Sequence, residues 1–218
     1  MKILIVSPHP DDETLGAGGL ILKHKNQGDK LYWMNVTDVT EKWDGDFRRK
    51  REIQINKIQE YYNFDGVYNL KFEPCSLEIV DRRKIIDCFR NCIMEIQPDW
   101  IVLPNESDAH SDHRITYEVC MLCTKAFRCP SIKKIMCMEI VSETDYSVNG
   151  SSFSANYYVD ISEYIEKKIE AAKIYDTELE LPPFPRSIEN IRALARVRGA
   201  SAGCNYAEAF KIIKEIDK

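Results

Sequence analysis

The chain has 218 residues, a formal net charge of −5, and a composition that is 44% hydrophobic and 30% charged. Such a length and balance suit a single domain over 1–218 with a full hydrophobic core. The acidic balance argues against nucleic acid as the main partner, no apolar run reaches membrane-spanning length, and the short apolar start lacks a signal-peptide pattern, so a cytoplasmic protein without a membrane anchor is expected.

The apolar run Ile3-Leu4-Ile5-Val6 predicts a buried strand over 2–6. Ser7-Pro8-His9-Pro10-Asp11-Asp12-Glu13 follows, and then a helix over 12–25. An imidazole and three carboxylates therefore fall in a strand-to-helix turn, which in open α/β sheets lies at the ligand-binding end. Pro8 and Pro10 fix φ on both sides of His9 and delay the helix. Gly16, Gly18 and Gly19 within the helix point to close packing against the sheet or a close ligand. Gly28 is placed to cap the helix, and His24, at its Lys-rich end, reads as a surface residue favourable to the dipole.

A strand over 30–37 comes next, then a helix over 46–62 with Ile53, Ile55, Ile58 and Tyr62 on its inner side. Arg48, Arg49, Lys50 and Arg51 open this helix as a solvated basic face, from which one Arg could reach a sugar or an anion. A strand over 67–72, a helix over 77–96 and a strand over 100–103 lead to Pro104-Asn105-Glu106-Ser107-Asp108-Ala109-His110-Ser111-Asp112-His113. Two of the four histidines fall in this stretch, again just past a strand. A helix over 111–128, a strand over 134–141, a polar loop over 143–156, a short strand over 157–161 and a Ser162-capped helix to 175 follow. After the break at Pro182-Pro183-Phe184-Pro185, helices are expected over 187–198 and 206–216. The eight cysteines, Cys120-x-x-Cys123 included, are expected to be reduced and buried.

This β-α alternation predicts an α/β fold, a Rossmann-like three-layer sandwich on a mainly parallel sheet, with an extra C-terminal strand and helices. His9 and Asp12 leave the first strand, and the second histidine stretch leaves the fourth. Strands with one between them lie about 10 Å apart, so a shared ion is reached most easily from neighbouring strands. The predicted order is therefore 3-2-1-4-5, with the site at the switch point between strands one and four. Right-handed crossovers then put the first two helices on one face and the next two on the other.

His9, Asp12 and a histidine of the second stretch supply N, O and N donors for zinc and leave a position for water. A neighbouring carboxylate can take that water's proton, and a second histidine can stabilise an oxyanion. The set suits amide or ester hydrolysis without a covalent intermediate.

Pro8-His9-Pro10-Asp11-Asp12-Glu13, Leu15-Gly16-Ala17-Gly18-Gly19 and Asp108-x-His110-x-Asp112-His113 together resemble the signatures of the LmbE/PIG-L family of zinc-dependent N-deacetylases. Arg186-Ser187, Arg198-Gly199 and Tyr206-Ala207-Glu208-Ala209-Phe210 extend the resemblance over nearly the whole chain. It implies that His9, Asp12 and His113 hold Zn2+, with another divalent ion such as Fe2+ able to substitute. It implies that Asp11 activates the zinc-bound water as general base, that His110 hydrogen-bonds the oxyanion, and that Asp112 orients or tunes His110. The implied substrate is a small N-acetylated amino sugar or sugar conjugate, and association into a homo-oligomer is left open. Ser111 stands where that family commonly has proline, at a helix start that Ser caps well. Val39 stands where it often has glycine. A dinucleotide-binding oxidoreductase is the alternative enzyme, but the glycines do not form G-x-G-x-x-G and the carboxylates would repel a pyrophosphate. A non-catalytic metal- or sugar-binding module is the other alternative.

Overall fold

A computed structural model of the chain describes residues 1–150 and 152–217. Its strands are β1 (Lys2–Ser7), β2 (Lys30–Thr37), β3 (Gly66–Phe72), β4 (Trp100–Leu103), β5 (Lys134–Met138), β6 (Tyr157–Asp160) and β7 (Ala207–Glu215). Its helices are α1 (Asp12–Asn26), α2 (Gly45–Tyr62), α3 (Arg82–Ile96), α4 (Ser111–Cys123), α5 (Ile165–Ile174) and α6 (Ile188–Ala202). The strands form one sheet in the order β3-β2-β1-β4-β5-β7-β6. The first five are parallel, and β7 runs antiparallel between β5 and β6. The expected order 3-2-1-4-5 is found, with β1 paired to β4 through Ile3↔Trp100, Leu4↔Ile101 and Ile5↔Val102.

Side-chain alternation along β1 divides the interior into two cores. Ile3 and Ile5 enter one, while Leu4 and Val6 enter the other. Leu20 of α1, Ile58 of α2, Ile169 of α5 and Ile191 of α6 complete the first. Phe89 of α3 and Val119 of α4 complete the second. Both faces of β1 are thus apolar and covered, which explains a strand read as a continuous apolar run.

The glycines of α1 serve packing. A Cβ on Gly19 would lie 2.4 Å from Ile161 Cγ2, and one on Gly16 would lie 2.8 Å from the Met138 side chain. The close approach lets Glu208 of β7 accept the amides of Gly19 and Leu20, each at 2.7 Å. Lys168 of α5 neutralises that buried carboxylate at 2.7 Å and donates to the Leu15 carbonyl at 2.8 Å. The helix that starts at Asp12 is therefore fixed against the sheet from its middle.

Several expectations are corrected. Residues 206–216 form no helix; Ala207–Glu215 form β7, so two extra strands follow the parallel five. The apolar positions at Ala207, Ala209, Phe210, Ile212 and Ile213 fit either period, and the gap between β5 and β6 decides: Phe210 pairs with Met138 on one side and Tyr157 on the other. The helix expected over 77–96 starts at Arg82, where Asp81 caps it by accepting the Arg83 amide at 3.0 Å, while the amides of Cys75 and Leu77 are held by Asp112. The helix over 111–128 stops at Cys123, and the strand over 134–141 stops at Met138. Ile53 points to solvent. Ser162 binds Asp160 and does not cap α5, whose N-cap is Tyr164. His24 is buried, with Nδ1 2.8 Å from Asp29 and its ring edge-on to Trp100. All eight cysteines are free, but Cys75 is exposed and Cys88 and Cys204 are half-buried. The polar connection over 143–156 holds one 3-10 turn, Val148–Gly150, and its Ser151 lies outside the described residues. Among the described residues no helix is long and apolar enough to cross a membrane.

Candidate active site

The turn after β1 is pinned from three sides. Thr37, at the end of β2, donates its amide (2.9 Å) and hydroxyl (2.8 Å) to the Pro8 carbonyl. Arg51 Nη1 of α2 donates to the Pro10 carbonyl at 3.0 Å. Asp12 accepts the His9 amide at 2.9 Å, closing the turn on itself. Between them Asp11 takes φ 141°, in the region that favours glycine. Its amide donates to Glu13 Oε2 at 3.1 Å, and Glu13 Oε1 accepts the hydroxyls of Thr14 (2.6 Å) and Tyr175 (3.0 Å). Burial raises the Glu13 carboxyl to about 7.

The β1 turn and the β4 loop converge. His9 Nδ1 lies 3.4 Å from Asp12 Oδ2, His113 Nε2 lies 3.3 Å from the same oxygen, and the two nitrogens lie 3.3 Å apart. A tetrahedral ion with bonds of about 2.0–2.2 Å places its donors about 3.3–3.6 Å apart, so this trio fits zinc without rearrangement. The donor set, two imidazoles and one carboxylate, leaves one position of the four free.

Each imidazole is backed by a carboxylate. Asp112 Oδ2 lies 3.2 Å from His9 Nε2, and Asp108 Oδ2 lies 2.9 Å from His113 Nδ1. Asp112 is itself fixed by the amides of Cys75 (2.7 Å) and Leu77 (3.2 Å), and Asp108 by the Thr144 hydroxyl (2.8 Å). Such outer partners set which ring nitrogen is free to bind an ion. A second convergence, His9-His110-Asp112, shares His9. There Asp112 already serves two amides and His9, so the trio with Asp12 and His113 is the better-disposed set.

Electrostatics separate the carboxylates. Burial opposes ionisation of Asp12, but His113 and His9 outweigh it and hold its carboxyl well below the usual range. Burial also disfavours charging His9, yet its bonds to Asp112 and Asp12 raise it to about 9. Asp11 goes the other way: burial, then Asp12 and Glu178, hold its carboxyl well above the usual range. Two adjacent carboxyls thus differ in proton affinity, the arrangement in which one holds charge and the other moves a proton.

His110 is the N-cap of α4. Its Nδ1 accepts the Asp112 amide at 3.1 Å, so Ser111 is not the cap. Burial, then the His9 and His113 charges, lower His110 to about 4. A neutral ring whose Nδ1 accepts must carry its proton on Nε2. That nitrogen lies 3.5 Å from Cys75 Sγ, and both residues line the same cavity. The Asp112 carboxylate is 4.0 Å from His110 Nδ1, too far to bind it, so Asp112 meets His110 through its amide and His9 through its carboxylate.

The cavity measures about 360 Å³. His9, Asp11, Asp12 and His110 line it, Trp43, Phe47, Val39 and Pro74 give it apolar surface, and Arg51, Glu178 and Arg186 line it too. Of the basic cluster on α2, only Arg51 is buried. Asp108 belongs to the second histidine motif but is given no role from sequence, and Thr144 and Glu178 are not singled out there. Asp108 sits inside the second histidine stretch, where an acid five residues before a histidine is a usable signal. Glu178 lies in a connection with no motif. Asp38 is committed to the Val39 amide and Asn69, which removes the acidic group a dinucleotide ribose would need.

The family described as PIG-L, GlcNAc-PI de-N-acetylase, matches residues 4–124. The chain is similar to the diacetylchitobiose deacetylase of Thermococcus kodakarensis, with 22% identity over 227 aligned residues that cover 99% of this chain and 84% of that protein. Among solved structures it is similar to the N,N'-diacetylchitobiose deacetylase from Pyrococcus horikoshii in complex with its inhibitor MPG, with TM-score 0.78, 21% identity, and coverage of 98% of this chain and 84% of that one. It is also similar to GalB, the 4-carboxy-2-hydroxymuconate hydratase of Pseudomonas putida, with TM-score 0.79, 15% identity, and coverage of 100% and 98%. At these identities the structural likeness speaks for the fold.

Proposed function

The chain belongs to the PIG-L (GlcNAc-PI de-N-acetylase) family, and on that footing we propose that it is a metal-dependent hydrolase that removes the acetyl group from an N-acetylated amino sugar. The observation that carries the reading is the convergence of two carboxylate-backed imidazoles on Asp12, with Asp11 and the Nε2–H of His110 on the same cavity. His9, Asp12 and His113 would hold the ion, zinc or another divalent metal such as iron(II). When bound, the ion supplies a Lewis acid that acidifies water and polarises the acetyl carbonyl.

The chain's own groups do the rest. Asp11, with its raised proton affinity, takes the proton of the attacking water and returns it to the departing amine. His110 donates Nε2–H to the oxygen of the tetrahedral intermediate, held in place by the α4 amide on Nδ1. Asp112 and Asp108 orient the two imidazoles. Arg51 fixes the turn through Pro10, and Trp43 and Phe47 offer apolar surface to the sugar ring. The whole chain acts as one catalytic unit, since β7 and α5 hold the helix that carries Asp12.

The test is release of free amine from a panel of N-acetylated sugars and glycosides by the zinc-loaded protein. Amine release that needs the metal supports the reading. Hydration of an unsaturated acid without any amide cleavage would instead align the chain with the hydratase that shares its fold.

A further inference from the structure

Both guanidiniums of the cavity are tied to one carboxylate. Arg51 gives one arm to Glu178 and the other to the Pro10 carbonyl. Arg186 gives Nε to the Glu178 carbonyl (3.1 Å) and Nη1 to Ser142 Oγ (3.0 Å), with Nη2 3.5 Å from Glu178 Oε2. A phosphate or carboxylate is bound by a guanidinium that presents two free parallel donors. Neither arginine presents them. Asp38, with Glu178, adds negative charge to the same cavity. Arg48 and Lys71, which make no ion pair among the described residues, line a separate basin beyond Asp38 and Val39. The remaining surface includes Trp43 and Phe47, stacked at 5.6 Å, which suits the apolar face of a sugar.

We propose that Glu178 is a specificity-determining residue that restricts this cavity to uncharged N-acetylated sugars, and that sugar phosphates and carboxylated conjugates are excluded. The word substrate rests on the deacetylase reading; the charge argument does not. Glu178 lies beside the arginines and acts through them: its charge offsets one of the two guanidinium charges and turns both groups toward protein acceptors. Glu178→Gln keeps the shape and releases the cationic charge toward the cavity.

The experiment compares methyl N-acetylglucosaminide with N-acetylglucosamine 1-phosphate on the zinc-loaded protein. The two differ by one small group. The neutral substrate should be favoured in kcat/KM by about tenfold or more. Glu178→Gln should shrink that ratio by about tenfold, through KM for the phosphate and not through kcat. Equal or better use of the phosphate by the unaltered protein overturns the proposal, and so does a ratio that Glu178→Gln leaves in place. Should Glu178→Gln fail to fold, the ratio is read at rising salt, where screening must narrow it; a ratio constant with salt overturns the proposal. Binding of methyl N-acetylglucosaminide and N-acetylglucosamine 1-phosphate, read by calorimetry, keeps the two claims separate. If no amide is cleaved, the deacetylase reading fails, while tighter binding of the uncharged glycoside still supports the charge restriction and tighter binding of the phosphate overturns it.

Discussion

Asp112 holds His9 through its carboxylate, at 3.2 Å from Nε2, and His110 only through its backbone amide. With Asp108 on His113, the fold builds two carboxylate–imidazole pairs that aim Nδ1 of one ring and Nε2 of the other at Asp12. Asp112→Asn and Asp108→Asn should therefore weaken zinc binding by about 10–100-fold without removing a ligand. Competitive titration with a chelating dye measures this; an affinity equal to that of the unaltered protein would reduce both acids to structural roles.

His110 is predicted to act on the transition state. His110→Ala should keep the metal and lower kcat by about 10²–10³-fold with little change in KM. It also removes the α4 cap, so thermal unfolding should show a loss of about 1 kcal/mol. A fall in activity matched by a fall in metal content would move His110 into the ligand set.

Much of this was legible in the sequence because one geometric demand linked two distant stretches. Donors expected to share an ion left a turn after the first strand and a turn after the fourth, which called for β1 and β4 as neighbours, and they are. What stayed hidden depended on tertiary context. The run from Ala207 to Glu215 is apolar in a pattern compatible with either period, and only the place between β5 and β6 makes it a strand. His24 looked solvated among lysines, but Asp29 and Trp100 enclose it. Glu178 gave no local signal, because its meaning lies in two arginines that are 127 residues before it and 8 after it.

Asp11 should trade stability for function. Its φ of 141° is strained for any residue but glycine, at a cost of about 1–3 kcal/mol. Its carboxyl is also raised by burial, then by Asp12 and Glu178, so the ionised form costs stability at every pH above its unfolded value. Asp11→Gly should raise the Tm of the metal-free protein while abolishing activity. A lower Tm would show that the Asp11 side chain is a net stabiliser.

Asp65 gives a stability test away from the site. Lys25 Nζ (2.8 Å) and the Leu31 amide (3.0 Å) both bind Asp65 Oδ2, joining the end of α1 to the start of β2. Burial alone would raise this carboxyl, but Lys25 and the amide hold it below the usual range. A depressed carboxyl adds stability above its unfolded pKa and loses it as pH falls through the folded value. Unfolding of Asp65→Asn should thus show a deficit of about 0.5–1 kcal/mol at neutral pH, smaller in high salt, that closes below about pH 4. A deficit that persists in acid would assign the effect to packing.

Two adjacent acids are proposed to divide the labour, one holding the metal and one moving the proton. Zinc content and the kcat of amine release, measured side by side for Asp11→Asn and Asp12→Asn, test that division most directly. Asp11→Asn should retain a full equivalent of zinc and lose kcat by on the order of 10²-fold or more, while Asp12→Asn should lose the metal. An Asp11→Asn protein that loses its zinc and regains turnover in excess metal would contradict the account.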